Sequence, residues 1–196
     1  MYCTSYGAAK YLAKEMPGRS VYVLEENAEE EFTGAGIRCV HDEKAGAVVV
    51  GLDRKLTYAK LSVAFRAIMN GAAFIATNDD ASYPVEDGLL PGAGAIVAAL
   101  AYSTGRKPIT IGKPNPYMLD LIAEEHGIRK EDALMVGDKL ETDILMAKKE
   151  GMRSALVLTG VSSRAEAMEG GIRPDFVADS IKEIPKAMRN FEATLR

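Results

Sequence analysis

The sequence predicts an α/β protein built on parallel strands. Short apolar runs recur along the chain, among them SVYVL (20–24), AGAVVV (45–50), AAFIA (72–76), ALMV (133–136) and SALVL (154–158). Amphipathic segments of helical period separate them, and glycines stand just beyond several of these segments. Strands that alternate with helices pair in parallel through right-handed crossovers. The chain has 196 residues, 47% hydrophobic and 27% charged, which is enough to bury a core in one domain or two small ones.

In chain order, the first strands are Ser20–Leu24, Ala45–Val50 and Ala72–Ala76. A helix lies between the last two. Thr57 caps it, Leu61, Ala64, Phe65 and Ile68 form its inward stripe, and Gly71 lies beyond its end. The segment Thr77–Gly92 is rich in Asp, Pro and Gly and reads as a loop carrying the domain boundary, with 1–80 one domain and 81–196 the other. Ala93–Tyr102 reads as a helix apolar nearly all round and therefore buried, and Pro108–Gly112 as a strand. Asn115-Pro116 marks the next helix start, with Met118, Leu121 and Ile122 facing inward and Gly127 at its end. Strand Ala133–Val136, helix Glu141–Glu150, strand Ser154–Leu158, an edge strand Asp175–Ala178 and a last helix Ser180–Arg189, weakened by Pro185, complete the pattern.

Composition narrows the function. A net charge of −4 argues against a generally basic nucleic-acid binder. Runs such as Gly46–Leu52 and Ala93–Tyr102 fall far short of the ~20 apolar residues a membrane helix needs. MYCTSYGAAK has no apolar stretch of signal-peptide type, and Cys3 and Cys39 have neither disulfide-framework nor metal-ligand spacing. The expected setting is the cytoplasm.

Two stretches can carry chemistry. In MVGDKLETDI (135–144) an apolar strand ends at Gly137-Asp138 and the chain turns into a helix bearing Asp143. Ligands of open parallel sheets sit beyond the carboxyl ends of the strands. Asp138 and Asp143 brought together there can hold magnesium, which takes oxygen ligands and keeps several waters. The same residues also suit a helix cap and a dipole partner, and the stretch alone does not choose. In IGKPNP (111–116), Lys113 follows a strand directly, where an ammonium can neutralise a phosphate; an ordinary solvated lysine reads the same way.

Together, strand–Lys113–helix–strand–Asp138–helix–Asp143 resembles the last two motifs of the haloacid dehalogenase (HAD) superfamily. The likeness extends through VVVGLDRKLTY (48–58), FIATNDD (74–80), GLLPGAGAIVAAL (88–100), GKPNPYML (112–119) and GDKLETDI (137–144). It points to the NagD-type, or p-nitrophenyl phosphatase-like, branch. The resemblance implies an α/β cap over 1–80, with Asn78 and Asp80 in its hinge, and the C-terminal half of a Rossmann-like core over 81–196. It implies a magnesium-dependent phosphatase that passes a phosphoryl group to an aspartate and then to water. Lys113 would hold the phosphate and serve catalysis, while Asp138 and Asp143 would hold or support Mg2+. The implied partners are a small phosphorylated metabolite and further copies of the chain, paired through the cap.

The family's nucleophile is the first Asp of a D-x-D-G-T motif, and these 196 residues contain no D-x-D. That motif precedes the cap, and TSYGAAKYL (4–12) already matches the cap's start. Asp53 in VVVGLDRKLT is a decoy, since Gly51 stands where the attacking carboxylate belongs. The isolated chain is therefore expected to be a poor phosphatase at best, with an open sheet edge beside Asp138 that invites pairing. The alternatives are a non-catalytic remnant acting as a binding or oligomerisation module, or a nucleotide-binding domain resting only on Gly92-x-Gly94. His41, His126, the acidic run Glu25–Glu31 and Lys148-Lys149 read as solvated surface or cap residues.

Overall fold

A computed structural model describes residues 2–185 and Met188. The chain divides into two compact units, Met1–Gly112 and Lys113–Arg196.

The first unit runs α1 (Thr4–Glu15), β1 (Val21–Leu24), α2 (Glu29–Gly34), β2 (Ala47–Val50), α3 (Tyr58–Met69), β3 (Ala73–Ala76), β4 (Ser82–Val85), β5 (Gly88–Pro91), α4 (Ala93–Thr104) and β6 (Ile109–Thr110). Its main sheet has the order β1-β2-β3-β6, all parallel, with Val21 opposite Ala47, Ala47 opposite Ala73 and Ile75 opposite Ile109. β1 and β2 are buried at every position, as continuous apolar runs in a parallel sheet should be. Tyr22, Leu24, Val48, Val50, Phe74 and Ala76 pack on Ala64, Ala67 and Ile68 of α3 and on Ile96, Val97 and Leu100 of α4. Thr57 caps α3 as expected, its side chain accepting from the Lys60 N–H at 3.2 Å.

Several expectations are corrected here. The loop expected over 77–92 contains the antiparallel hairpin β4–β5. Pro84 and Pro91 and the exposed pattern of β5 hide these strands from a reading based on apolar runs. α4 is not buried all round: Ala93, Ile96, Val97 and Leu100 face inward, while Tyr102 is 93% exposed. Gly92 and Gly94 serve close backbone approach, since a Cβ at either would lie 2.2–2.4 Å from the carbonyl oxygen of Asp80 or Asp79. The units divide at 112/113, whereas the composition of the loop placed the boundary at 80/81. α4 packs on α3 and β6 pairs with β3, so residues 81–112 complete the first sheet.

The second unit runs α5 (Tyr117–His126), a 3-10 turn (Lys130–Asp132), β7 (Leu134–Gly137), a π-helical turn (Leu140–Ile144), α6 (Leu145–Lys149), β8 (Arg153–Val157), α7 (Arg164–Glu169), β9 (Phe176–Ala178) and a 3-10 turn (Ile181–Glu183). Its sheet is parallel, in the order β7-β8-β9. Ala155 and Val157 pack with Phe176, Ala178 and Ile184 on one face. Leu156 meets Leu140, Ile144 and Ala167 on the other. The helix expected over 141–150 therefore begins as a π turn and continues as α6. The helix expected over 180–189 opens as a 3-10 turn and continues as helix at Ile184, Pro185 and Met188, while residues 186, 187 and 189 lie outside the described residues. Among the described residues, no helix is long and apolar enough to cross a membrane.

Candidate active site

β7 hands the chain to Asp138 at its carboxyl end. The π turn that follows carries Asp143 back beneath that end, with 3% of the residue exposed. Single π turns inside helices recur at functional sites because the extra residue re-aims a side chain. Asp143 Oδ2 accepts the backbone N–H of Asp138 at 3.2 Å and of Lys139 at 3.3 Å. Its Oδ1 accepts from Lys113 Nζ at 2.6 Å. Gly137 is required by this fit, because a Cβ there would stand 2.3 Å from Cβ and Cγ of Asp143.

The structure thus brings together all three residues singled out in the sequence. Lys113 and Asp143 form a direct ion pair, 50% and 4% exposed at their side chains. Asp138 joins through its backbone. An ammonium has three N–H donors, and Asp143 takes one of those on Lys113. The half-exposed remainder can meet an anion. With both oxygens engaged, Asp143 works as the support that holds Lys113 against the end of β7.

Asp138 is half-buried, and its carboxylate is held by the segment after β8. The Val161 N–H donates to Asp138 Oδ2 at 3.1 Å. Ser162, 6% exposed, donates its N–H to the Asp138 carbonyl at 2.9 Å, and its Oγ accepts from the Leu140 N–H at 3.1 Å. Sequence reasoning missed these residues. Their one visible signal is that Thr159-Gly160 follows an apolar strand, as Gly137-Asp138 does.

The donor set suits a hard cation by type, though it is small. Asp138 Oδ1 has no hydrogen bond among the described residues, and magnesium commonly takes one or two carboxylates alongside waters and substrate phosphate. Among the described residues, no group of three or more acidic, histidine or cysteine side chains could hold a metal. Both oxygens of Asp143 are engaged, whereas Asp138 keeps one carboxylate oxygen without a hydrogen bond among the described residues.

In the first unit, Asp53 confirms its reading as a turn residue. It is 6% exposed, accepts from the Lys55 N–H at 2.8 Å and pairs with Lys60 Nζ at 2.6 Å. Glu25, expected at a solvated acidic surface, is instead largely removed from solvent. Its Oε1 accepts from Ser5 Oγ at 3.1 Å, its Oε2 is buried without a partner, and burial pushes its carboxyl above the usual range. His41 lies 3.5 Å from Glu29, at the surface.

Comparison with known proteins gives a consistent answer. Residues 110–184 match a family model described as HAD-hydrolase-like. The chain is 38% identical over 190 residues to an acid sugar phosphatase of Staphylococcus aureus (strain USA300), covering 96% of this chain and 72% of that protein. The p-nitrophenyl phosphatase from Archaeoglobus fulgidus matches with a TM-score of 0.87 at 35% identity, covering 94% of this chain and 73% of that one. The glycerol phosphate phosphatase from Mycobacterium tuberculosis, solved in complex with magnesium, matches with a TM-score of 0.87 at 36% identity over 92% of this chain and 56% of that one. Likeness at this level, joined to a lysine and two aspartates converging at one strand end, makes the chain a member of the HAD-like hydrolases, among their phosphatases.

Proposed function

We propose that this chain carries the phosphate-holding and metal-holding half of a magnesium-dependent phosphatase acting on small phosphomonoesters. The Lys113–Asp143 pair supports this reading most directly, because Asp143 ties an ammonium and the backbone of Asp138 to the same carboxylate at the end of β7. Lys113 neutralises an incoming phosphate while Asp143 holds the lysine in place. Asp138 offers Oδ1 to the metal. When bound, magnesium would offset the charge that develops on the transferring phosphoryl oxygens.

The attacking carboxylate lies outside these 196 residues, which contain no D-x-D pair. Loss of a nucleophile that acts as part of a unit costs on the order of a million-fold in rate. A polypeptide of these residues alone is therefore expected to show no magnesium-stimulated hydrolysis of p-nitrophenyl phosphate above that of its Lys113→Ala variant. Fusing a strand that ends in D-x-D-G-T ahead of residue 1 is expected to restore turnover. Lys113→Ala or Asp138→Asn in the fusion would then each remove about 100-fold or more. Turnover by the unfused chain that survives Lys113→Ala would overturn the reading.

A second reading, a binding or oligomerisation module without turnover, draws on one observation. Among the described residues, β7 is hydrogen-bonded on its β8 side only. Under either reading we propose a homo-oligomer working in the cytoplasm.

A further inference from the structure

We propose that the segment Gly160–Ser162 is a positioning element that aims the carboxylate of Asp138, with Gly160 and Ser162 as its working residues. The inference rests on the reading of Asp138 as a metal ligand and adds residues that this reading does not contain.

Three contacts tie the segment to Asp138 and the turn after it. The Val161 N–H holds Oδ2 at 3.1 Å. The Ser162 N–H holds the Asp138 carbonyl at 2.9 Å. Ser162 Oγ takes the Leu140 N–H at 3.1 Å and so pins the start of the π turn that delivers Asp143. Asp138 is therefore clamped at its side chain, at its backbone and two residues downstream. Oδ2 is engaged by this clamp, while Oδ1 carries no hydrogen bond among the described residues.

Gly160 makes the clamp possible. A Cβ there would stand 1.8 Å from Asp138 Oδ2 and 2.5 Å from both Cβ and Cγ. Its φ lies outside the left-handed region, so glycine is not required there by the backbone. The space is kept for the carboxylate itself. Groups that orient a metal ligand commonly account for about 10–100-fold in metal affinity.

The test is a titration of the 196-residue chain with Mn2+ as a magnesium surrogate, following paramagnetic broadening of the Asp138 and Val161 amide resonances. Thermal unfolding is recorded on each variant. Wild type is expected to saturate. Gly160→Ala and Ser162→Ala are expected to need about 10–100-fold more Mn2+. Ser162→Thr, which keeps the hydroxyl, should stay near wild type, an outcome that a merely space-filling role would not produce. Ser162→Cys, of nearly the same volume, replaces Ser162→Ala should the latter not unfold cooperatively. Asp138→Asn separates the two ideas. If it abolishes binding while Gly160→Ala and the Ser162 variants bind like wild type, the positioning role is wrong and the ligand assignment stands. If wild type shows no saturable binding, or Asp138→Asn binds like wild type, the ligand assignment falls and the positioning role with it.

Discussion

Two buried carboxylates show how the surroundings decide what an acid does. Asp143 is almost fully buried yet accepts three hydrogen bonds, one of them from an ammonium. Three donors offset the cost of burying that side chain. Glu25 accepts from Ser5 Oγ at one oxygen, and its other oxygen is buried with no hydrogen bond within 3.5 Å among the described residues. Burial, opposed by the Ser5 and Thr77 hydroxyls, therefore raises its pKa above the ordinary 4.5. A raised folded-state pKa means that the folded protein holds a proton which the unfolded chain has released. Stability then falls as pH rises from 4.5 through the raised value, and the full cost persists above it. Glu25→Gln is accordingly expected to stabilise the protein at neutral pH, with the gain fading as the pH approaches 4.5. Urea unfolding of both proteins across that range measures it, and a gain that grows on acidification would contradict the assignment.

At the level of elements, β7 differs from the other strands of its kind. β1 and β2 are buried throughout and β8 is buried at four of five positions, but all four residues of β7 are only half-buried. Among the described residues no strand pairs with its other side, the usual setting for edge-to-edge pairing. Light scattering is expected to show association that rises with protein concentration and weakens in Met135→Lys, which places a charge on this strand. A monomer at every concentration would remove the edge as an interface. The strands were the most legible part of the fold, because a parallel strand covered on both faces leaves an uninterrupted apolar run, as in AVVV of β2. α1 was not: its buried positions are Ser5, Gly7, Ala8, Ala9 and Leu12, a stripe of mostly small residues with little contrast against its polar face. The site was legible for the same reason as the strands. Lys113 and Asp138 each follow a strand end, and Asp143 lies five residues after Asp138. Ser162 acts on Leu140 through space across 22 residues, and a serine five residues past a strand carries no mark of that.

Across the whole molecule, the division at 112/113 follows packing rather than composition. The Asp-, Pro- and Gly-rich stretch near residue 80 has the chemistry of a linker, yet the chain beyond it returns to the first sheet. α4 lays Ile96, Val97 and Leu100 on the face formed by β1–β3, and β6 extends the sheet beside β3. A cut at 80 would strip apolar cover from Val48, Val50, Phe74 and Ala76. A cut at 112 severs no strand pairing among the described residues, since the β1-β2-β3-β6 and β7-β8-β9 sheets share no strand. Residues 1–112 therefore hold a complete sheet with its helices, a size at which single domains commonly unfold in one step. A fragment of residues 1–112 is expected to melt cooperatively by circular dichroism, and one of residues 1–80 to show no cooperative transition. Cooperative melting of the 1–80 fragment would mean that α4 and β6 contribute little to the first core, and the boundary would return to the loop where the composition places it.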